Sequence, residues 1–331
     1  MSFKMIIISL FCLSFQLGCV QHPVEQKSVS VQLKWRHQTQ FAGLYIAKTD
    51  GFYASRGLDV NLIPRSPGIP NDTIIDNLIH GQTYFALIGG DVFLSRRARG
   101  LPLVAIAVIF QRNPYVYATL ATSDIQNPND LLGKRIMLPP DARIQHEALM
   151  KNLGIDPAPI HYVPYRRDSM GLATGEFDAQ VVYRTGSGFR LETALKQKLR
   201  FLWVEDYGIH LYADTLVTTE EVILKEPGVV QDFLDATLKG WQSAIETPEK
   251  GVEATLSFDP TLSREQQLTI MKIQSSLIHT GENPIGWMKA DIWRNMLATL
   301  QIPEEQVNLK AGIDMRFLTR FYPELKEEVR P

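Results

Sequence analysis

Trp35, Gln38, Gln40 and Phe41 lie within seven residues of one another near the start of this 331-residue chain. Aromatic rings offer wide flat surfaces at small entropic cost, and primary amides offer a donor beside an acceptor. The set therefore suits the face and edge of a planar heterocycle. Trp35, Gln38 and Phe41 are expected to touch ligand, whereas Tyr45 fits the core side of a following helix better. Gly89-Gly90-Asp91 is a second candidate. Two glycines allow backbone N–H groups to approach a ligand, while the acid either meets that ligand or caps its own helix. Gln111 and Arg112 close a long apolar run, and Arg112 would pair with a phosphate or carboxylate. Tyr115, Tyr183, Tyr207 and Tyr212 could complete an aromatic cage. Arg143 follows Pro139-Pro140 at the start of a helix whose N-terminus would favour an anion.

The elements that position these residues are legible from periodicity. Val29, Val31, Leu33 and Trp35 alternate with polar residues as a strand does, a polar turn follows, and Leu44 to Phe52 read as a helix. Asp72 or Thr73 is placed to cap a helix ended by Gly81, and Tyr84 to Ile88 reads as a buried strand. Leu101 to Phe110 is almost continuously apolar, the pattern of a central strand in a parallel sheet. Asn113-Pro114 breaks that run, and Tyr115 to Leu120 reads as a strand leaving the first α/β unit. A second set of alternating strands and helices follows to about Val204, and Asp206 to Thr219 reads as a return crossover. Val230, Phe233, Leu234, Leu238 and Trp241 then form one helical apolar stripe, with two more helices behind it.

A net charge of −2 with 45% hydrophobic and 21% charged residues describes a globular protein with room for two domains. It gives no electrostatic footprint for nucleic acid. Seven histidines are scattered without metal-ligand spacing, so neither a metal nor another cofactor is expected; His37 is the one expected near the cleft. Lys4 and the apolar run to Leu17 read as a secretory signal, and no later stretch reads as a membrane span. Leu17-Gly18-Cys19 resembles a bacterial lipoprotein signal, with Cys19 the lipidated residue. Cys12 lies in the signal, so the exported chain would hold no disulfide.

KWRHQTQFAG and AKTDGFYASRGLDV resemble the opening of the thiamine-pyrimidine-synthase-like group of periplasmic binding proteins. GGDVFLSRRARGLPLVAIAVIFQRNPY, DLLGKRI, GEFDAQVVY, DYGIHLYADTLVTTEEVI and FLDATLKGW continue the resemblance in order. It implies an α/β type II periplasmic-binding-protein fold, two α/β lobes joined by two crossover segments around a ligand cleft. Residues 1–18 would be the signal peptide and 19–28 a tether. Residues 29–114 with 213–331 would form the first lobe, and 115–212 the second.

The implied function is an extracytoplasmic, lipid-anchored solute-binding subunit of an ABC importer, with permease and ATPase as separate chains. The implied ligand is a thiamine-pyrimidine precursor or related heterocycle. Many relatives carry Asn-Glu after the residue matching Tyr183; here Arg184-Thr185 follow, leaving Asp91 or Glu205 to supply the acid. An enzymatic branch of the family relies on a histidine near residues 89–94, where this chain reads GGDVFL, and on a cysteine-rich loop it lacks. A periplasmic sensing subunit is the other role that the resemblance allows.

Overall fold

The computed structural model describes residues 26–66, 69–166 and 170–325. The signal, Cys19 and most of the tether fall outside these residues. Two five-stranded mixed sheets organise the chain. The first contains β1 (Lys27–Gln32), β2 (Leu58–Ile63), β3 (Phe85–Ile88), β4 (Leu103–Phe110) and, from much later, β10 (Ala213–Thr219). The second contains β5 (Tyr115–Leu120), β6 (Arg135–Met137), β7 (His161–Val163), β8 (Ala179–Tyr183) and β9 (Leu199–Trp203). Their orders are β2-β1-β3-β10-β4 and β7-β6-β8-β5-β9.

Each sheet has three parallel strands and then an antiparallel strand that arrives from the other sheet. β5 enters the second sheet directly after β4 and pairs antiparallel with β8 and β9; β10 returns to pair antiparallel with β3 and β4. Asp206 to Thr219 is thus a crossover only in its first part, because β10 lies inside the first sheet.

β4 corrects the expectation of a central parallel strand. It is an edge strand whose sole strand partner, β10, is antiparallel. All eight of its residues are buried nonetheless, because the C-terminal segments close its free edge. Val108 N–H donates to the Gly286 carbonyl at 3.0 Å, and Asp314 N–H donates to the Ala105 carbonyl at 3.0 Å. An unbroken apolar run signals burial on both faces; it does not report which strands flank it.

The helices on the first sheet include α1 (Ala42–Thr49), α2 (Asn71–Ile79) and α3 (Gly90–Arg97). α4 (Arg143–Asn152) and α5 (Phe189–Leu195) belong to the second. The C-terminal run comprises α6 (Glu220–Lys225), α7 (Pro227–Glu246), α8 (Pro248–Phe258), α9 (Arg264–Ile278), α10 (Ala290–Leu300), α11 (Leu309–Gly312) and α12 (Arg316–Phe321). α7 lays its stripe across α1, and their backbones touch: a Cβ at Gly43 would strike the Trp241 ring, and one at Gly240 would strike the Gly43 carbonyl. Tyr53, Phe233 and Phe85 stack in sequence, with centroids 5.4 and 4.0 Å apart. The expected cap at Asp72 or Thr73 is not used, since Pro70 precedes the first turn of α2. Through these contacts the opening turn after β1 is held on a deep core.

Candidate ligand-binding cleft

In parallel α/β sheets, chain turns beyond the strands' carboxyl ends face solvent and helix N-termini point the same way, so ligand sites form there. Here both sheets supply such turns to one cavity of about 200 Å³. From the first come Lys34, Trp35, Gln38 and Gln40 after β1, Arg65 after β2, and Gly89 and Asp91 after β3. From the second come Pro139 and Gln145 after β6, Tyr165 after β7, Tyr183 at the end of β8, and Gly186, Ser187 and Arg190 after it. Asn113 and Tyr212, in the connections between the sheets, and Tyr115 and Ala213, which open β5 and β10, also line it.

One buried carboxylate organises its floor. Asp214 is wholly buried and has φ +51°, a left-handed backbone that costs a residue other than glycine about 1 kcal/mol. It forms an ion pair with Lys34 and accepts from Gln40 Nε2 at 2.8 Å and from the Tyr183 hydroxyl at 3.2 Å. Gln38 Nε2 in turn donates to Gln40 Oε1 at 2.6 Å. Lys34 Nζ lies 5.1 Å from the Tyr183 ring centroid, a cation over a π face. Burial, then the neighbouring Asp214 carboxylate, holds the Tyr183 phenol well above its ordinary pKa, so it stays protonated and donates. Tyr115 meets Tyr183 edge to face at 5.3 Å, and the Arg65 guanidinium stacks over Trp35 at 4.7 Å. Amide pairs, a fixed phenol and flat rings can hold a planar polar molecule by edge and face.

Trp35, Gln38, Gly89, Asp91, Tyr115, Tyr183 and Tyr212 of the sequence-derived set line this cavity. Six others do different work. Phe41 is wholly buried and packs edge to face on Tyr45, a core role set by its place at the start of α1. Gly90 packs against the returning connection and α10: a Cβ there would lie 2.9 Å from the Tyr212 carbonyl and 2.9 Å from Met296 Cε. Gln111 spends its amide on the Val108 and Trp287 carbonyls, at 2.8 and 3.0 Å.

Arg112 pairs with Glu205 at 2.7 Å and Asp206 at 3.1 Å, tying the outgoing connection to the returning one. That pairing also removes Glu205 from the candidates for a cleft acid. Arg143 points away, exposed and paired with Glu147 one helical turn on; Gln145 takes the place expected of it. Tyr207 offers its carbonyl to Asn152 outside the cavity. His37 is likewise outside it, bonded to the Tyr45 hydroxyl at 3.0 Å.

Lys34, Gln145 and Asp214 were not foreseen. Asp214 had a signal: it is the one charged residue in an otherwise apolar and hydroxylated strand, ADTLVTT. Among the described residues no group of three or more His, Cys, Asp or Glu is placed to hold a metal, and no helix is long and apolar enough to cross a membrane.

Two mixed α/β sheets joined by two crossing connections and opening on one cleft are the periplasmic-binding-protein fold. The periplasmic aliphatic sulphonate binding protein SsuA of Escherichia coli shares it, with a TM-score of 0.69, 13% identity, and 87% of this chain and 92% of that one covered. More narrowly, the chain belongs to the NMT1/THI5 like family, whose profile matches residues 38–251.

Two relatives cover nearly the whole chain. A formylaminopyrimidine-binding protein of Halalkalibacterium halodurans is 24% identical over 312 residues, 90% of this chain and 93% of its own. The riboflavin-binding protein RibY of Chloroflexus aurantiacus is 21% identical, covering 90% and 86%. A 4-amino-5-hydroxymethyl-2-methylpyrimidine phosphate synthase of Legionella pneumophila is 24% identical over 243 residues, 71% of this chain and 74% of its own.

Proposed function

We propose that the chain is an exported solute-binding protein that captures a flat nitrogen heterocycle, such as a thiamine-pyrimidine precursor, and delivers it to an ABC importer. The observation that carries this reading is that Trp35, just beyond β1, and Tyr183, at the end of β8 in the other sheet, line the same cavity. In this reading residues 29–114 with 213–331 form one lobe and 115–212 the other, with the Arg112–Glu205 pair beside the hinge. Residues 1–18 direct export, Cys19 carries the lipid and the segment to residue 28 is the tether. A ligand that touches both lobes favours the closed arrangement by as much as its contacts there exceed those in the open one.

The reading is non-catalytic. It is supported by the greater coverage of the relatives named as binding proteins than of the synthase. It is also supported by a cavity wall that contains neither histidine nor cysteine among the described residues. Titration of the purified chain with pyrimidines, thiamine and flavin precursors, read by intrinsic fluorescence and melting temperature, tests it. Saturable quenching with a raised Tm is expected for at least one of them, and quenching should weaken in Trp35→Phe. A flat response to every heterocycle would remove the reading.

A further inference from the structure

Gln145 sits in the first turn of α4, on the second sheet's side of the cleft, and is 2% exposed. Its Nε2 donates to Asp91 Oδ2, across the cleft, at 3.1 Å. Ionised carboxylate oxygens only accept, so Asp91 dictates that the amide presents its NH2 group to it. The amide carbonyl is thereby turned elsewhere, and Oε1 is buried with no hydrogen-bond partner among the described residues. Buried acceptors left unmade are costly and uncommon in native proteins. Asp91 is equally fixed. The space that a Cβ on residue 89 would need is filled by Asp91 Oδ1, which is why glycine stands there. The N-terminus of α3 favours a negative charge at that point.

We infer that Gln145 Oε1 and the Asp91 carboxylate form an acceptor pair, one from each side of the cleft, that reads a ligand edge carrying two N–H donors. An aminopyrimidine with a protonated ring nitrogen has such an edge, as does an amidine. This rests on the solute-binding reading above and adds the polarity of the edge selected. A 4-oxo pyrimidine keeps a ring N–H as one donor but turns a carbonyl lone pair toward the other acceptor, leaving that acceptor unmade. A donor edge joins a group held after β3 to a group held after β6, so recognition and closure use the same hydrogen bonds.

The test is calorimetric titration of the full chain with 4-amino-5-hydroxymethyl-2-methylpyrimidine and with its 4-oxo counterpart. The wild-type chain is expected to prefer the amino compound by about 100-fold or more, the scale on which a site built for a donor rejects an analogue lacking it. Asp91→Asn and Gln145→Met are each expected to bring that ratio below about tenfold. If either variant fails to fold, the wild-type ratio still decides the matter. Equal wild-type affinities would overturn the acceptor pair while leaving the cleft a heterocycle site. Binding of neither compound would overturn the acceptor pair as a reader of aminopyrimidines and leave the solute-binding reading to the wider heterocycle titration above.

Discussion

β4 and β7 are each an outer strand of their sheet, and their surroundings are opposite. Every residue of β4 is buried beneath the C-terminal segments, whereas β7 is three residues long and leaves Tyr162 43% exposed. The contrast extends to the two halves. α7 to α12 wrap the first sheet, and its core runs without a break from Val29 to Tyr322. One face of the second sheet joins that core through Tyr117, Ile136 and Leu149, but its other face rests on a small separate cluster around Phe177, Val182 and Leu191. Among the described residues, six of the eight exposed large apolar side chains, Leu132, Ile144, Leu153, Tyr162, Tyr165 and Met170, also lie in the second half. The contrast predicts a division of labour: the first half is expected to hold a fixed wall of the cleft, and the second, with less burial of its own, to supply the wall that adjusts.

Removing a large ring from each half tests that division most severely. Trp241→Ala, beneath α1, is expected to cost roughly 4 kcal/mol in urea unfolding and to lower hydrogen-exchange protection throughout. Phe177→Ala should lose protection mainly in β6 to β8, with β1 and β3 nearly unchanged. Equal loss across both sheets would erase the distinction between the halves.

A smaller effect is expected at the floor of the cleft. Asp214→Asn keeps the side-chain shape and a residue type that tolerates positive φ, but leaves the Lys34 ammonium without its carboxylate. A destabilisation of about 3 kcal/mol is expected, the low end for breaking a buried pair because Lys34 keeps some solvent contact. An unchanged urea midpoint would mean that the network contributes nothing to the fixed wall.

Acid is expected to unsettle the second half first. His146, in the second half, lies between the Tyr117 and Tyr162 hydroxyls at 2.5 and 2.6 Å. Burial first, then Arg143, pushes its pKa down to about 4. The folded state therefore prefers the neutral ring. Its contribution is whole above the unfolded pKa of about 6.5 and is lost as pH falls toward 4, amounting to about 2 kcal/mol by pH 5. Stability measured from pH 7 to 4 should fall less steeply in His146→Gln than in the wild type. Parallel curves would show that the group does not titrate on unfolding.

Much of this arrangement was legible in the sequence, because burial writes itself into periodicity. The opening strand and turn, the alternation of β5 and the stripe of α7 were all readable. Partnering was not. Leu101 to Phe110 announced a strand buried on all sides, but its cover comes from residues near 286 and 313, far along the chain. The same limit governed the site. Trp35 and Tyr183 stood out as rings near turns, while Arg112 looked like an anion ligand because Glu205 and Asp206, about ninety residues on, could not be placed beside it. Gln145 is one amide among many until α4 is set opposite Asp91.

In the proposed function the two walls close on a flat nitrogen heterocycle and leave it chemically unchanged. The most direct measurement is mass spectrometry of what the purified chain releases on denaturation after saturation with an aminopyrimidine and removal of excess. One equivalent of the same compound at its original mass is expected. Release of a compound of altered mass, or of none at all, would contradict it.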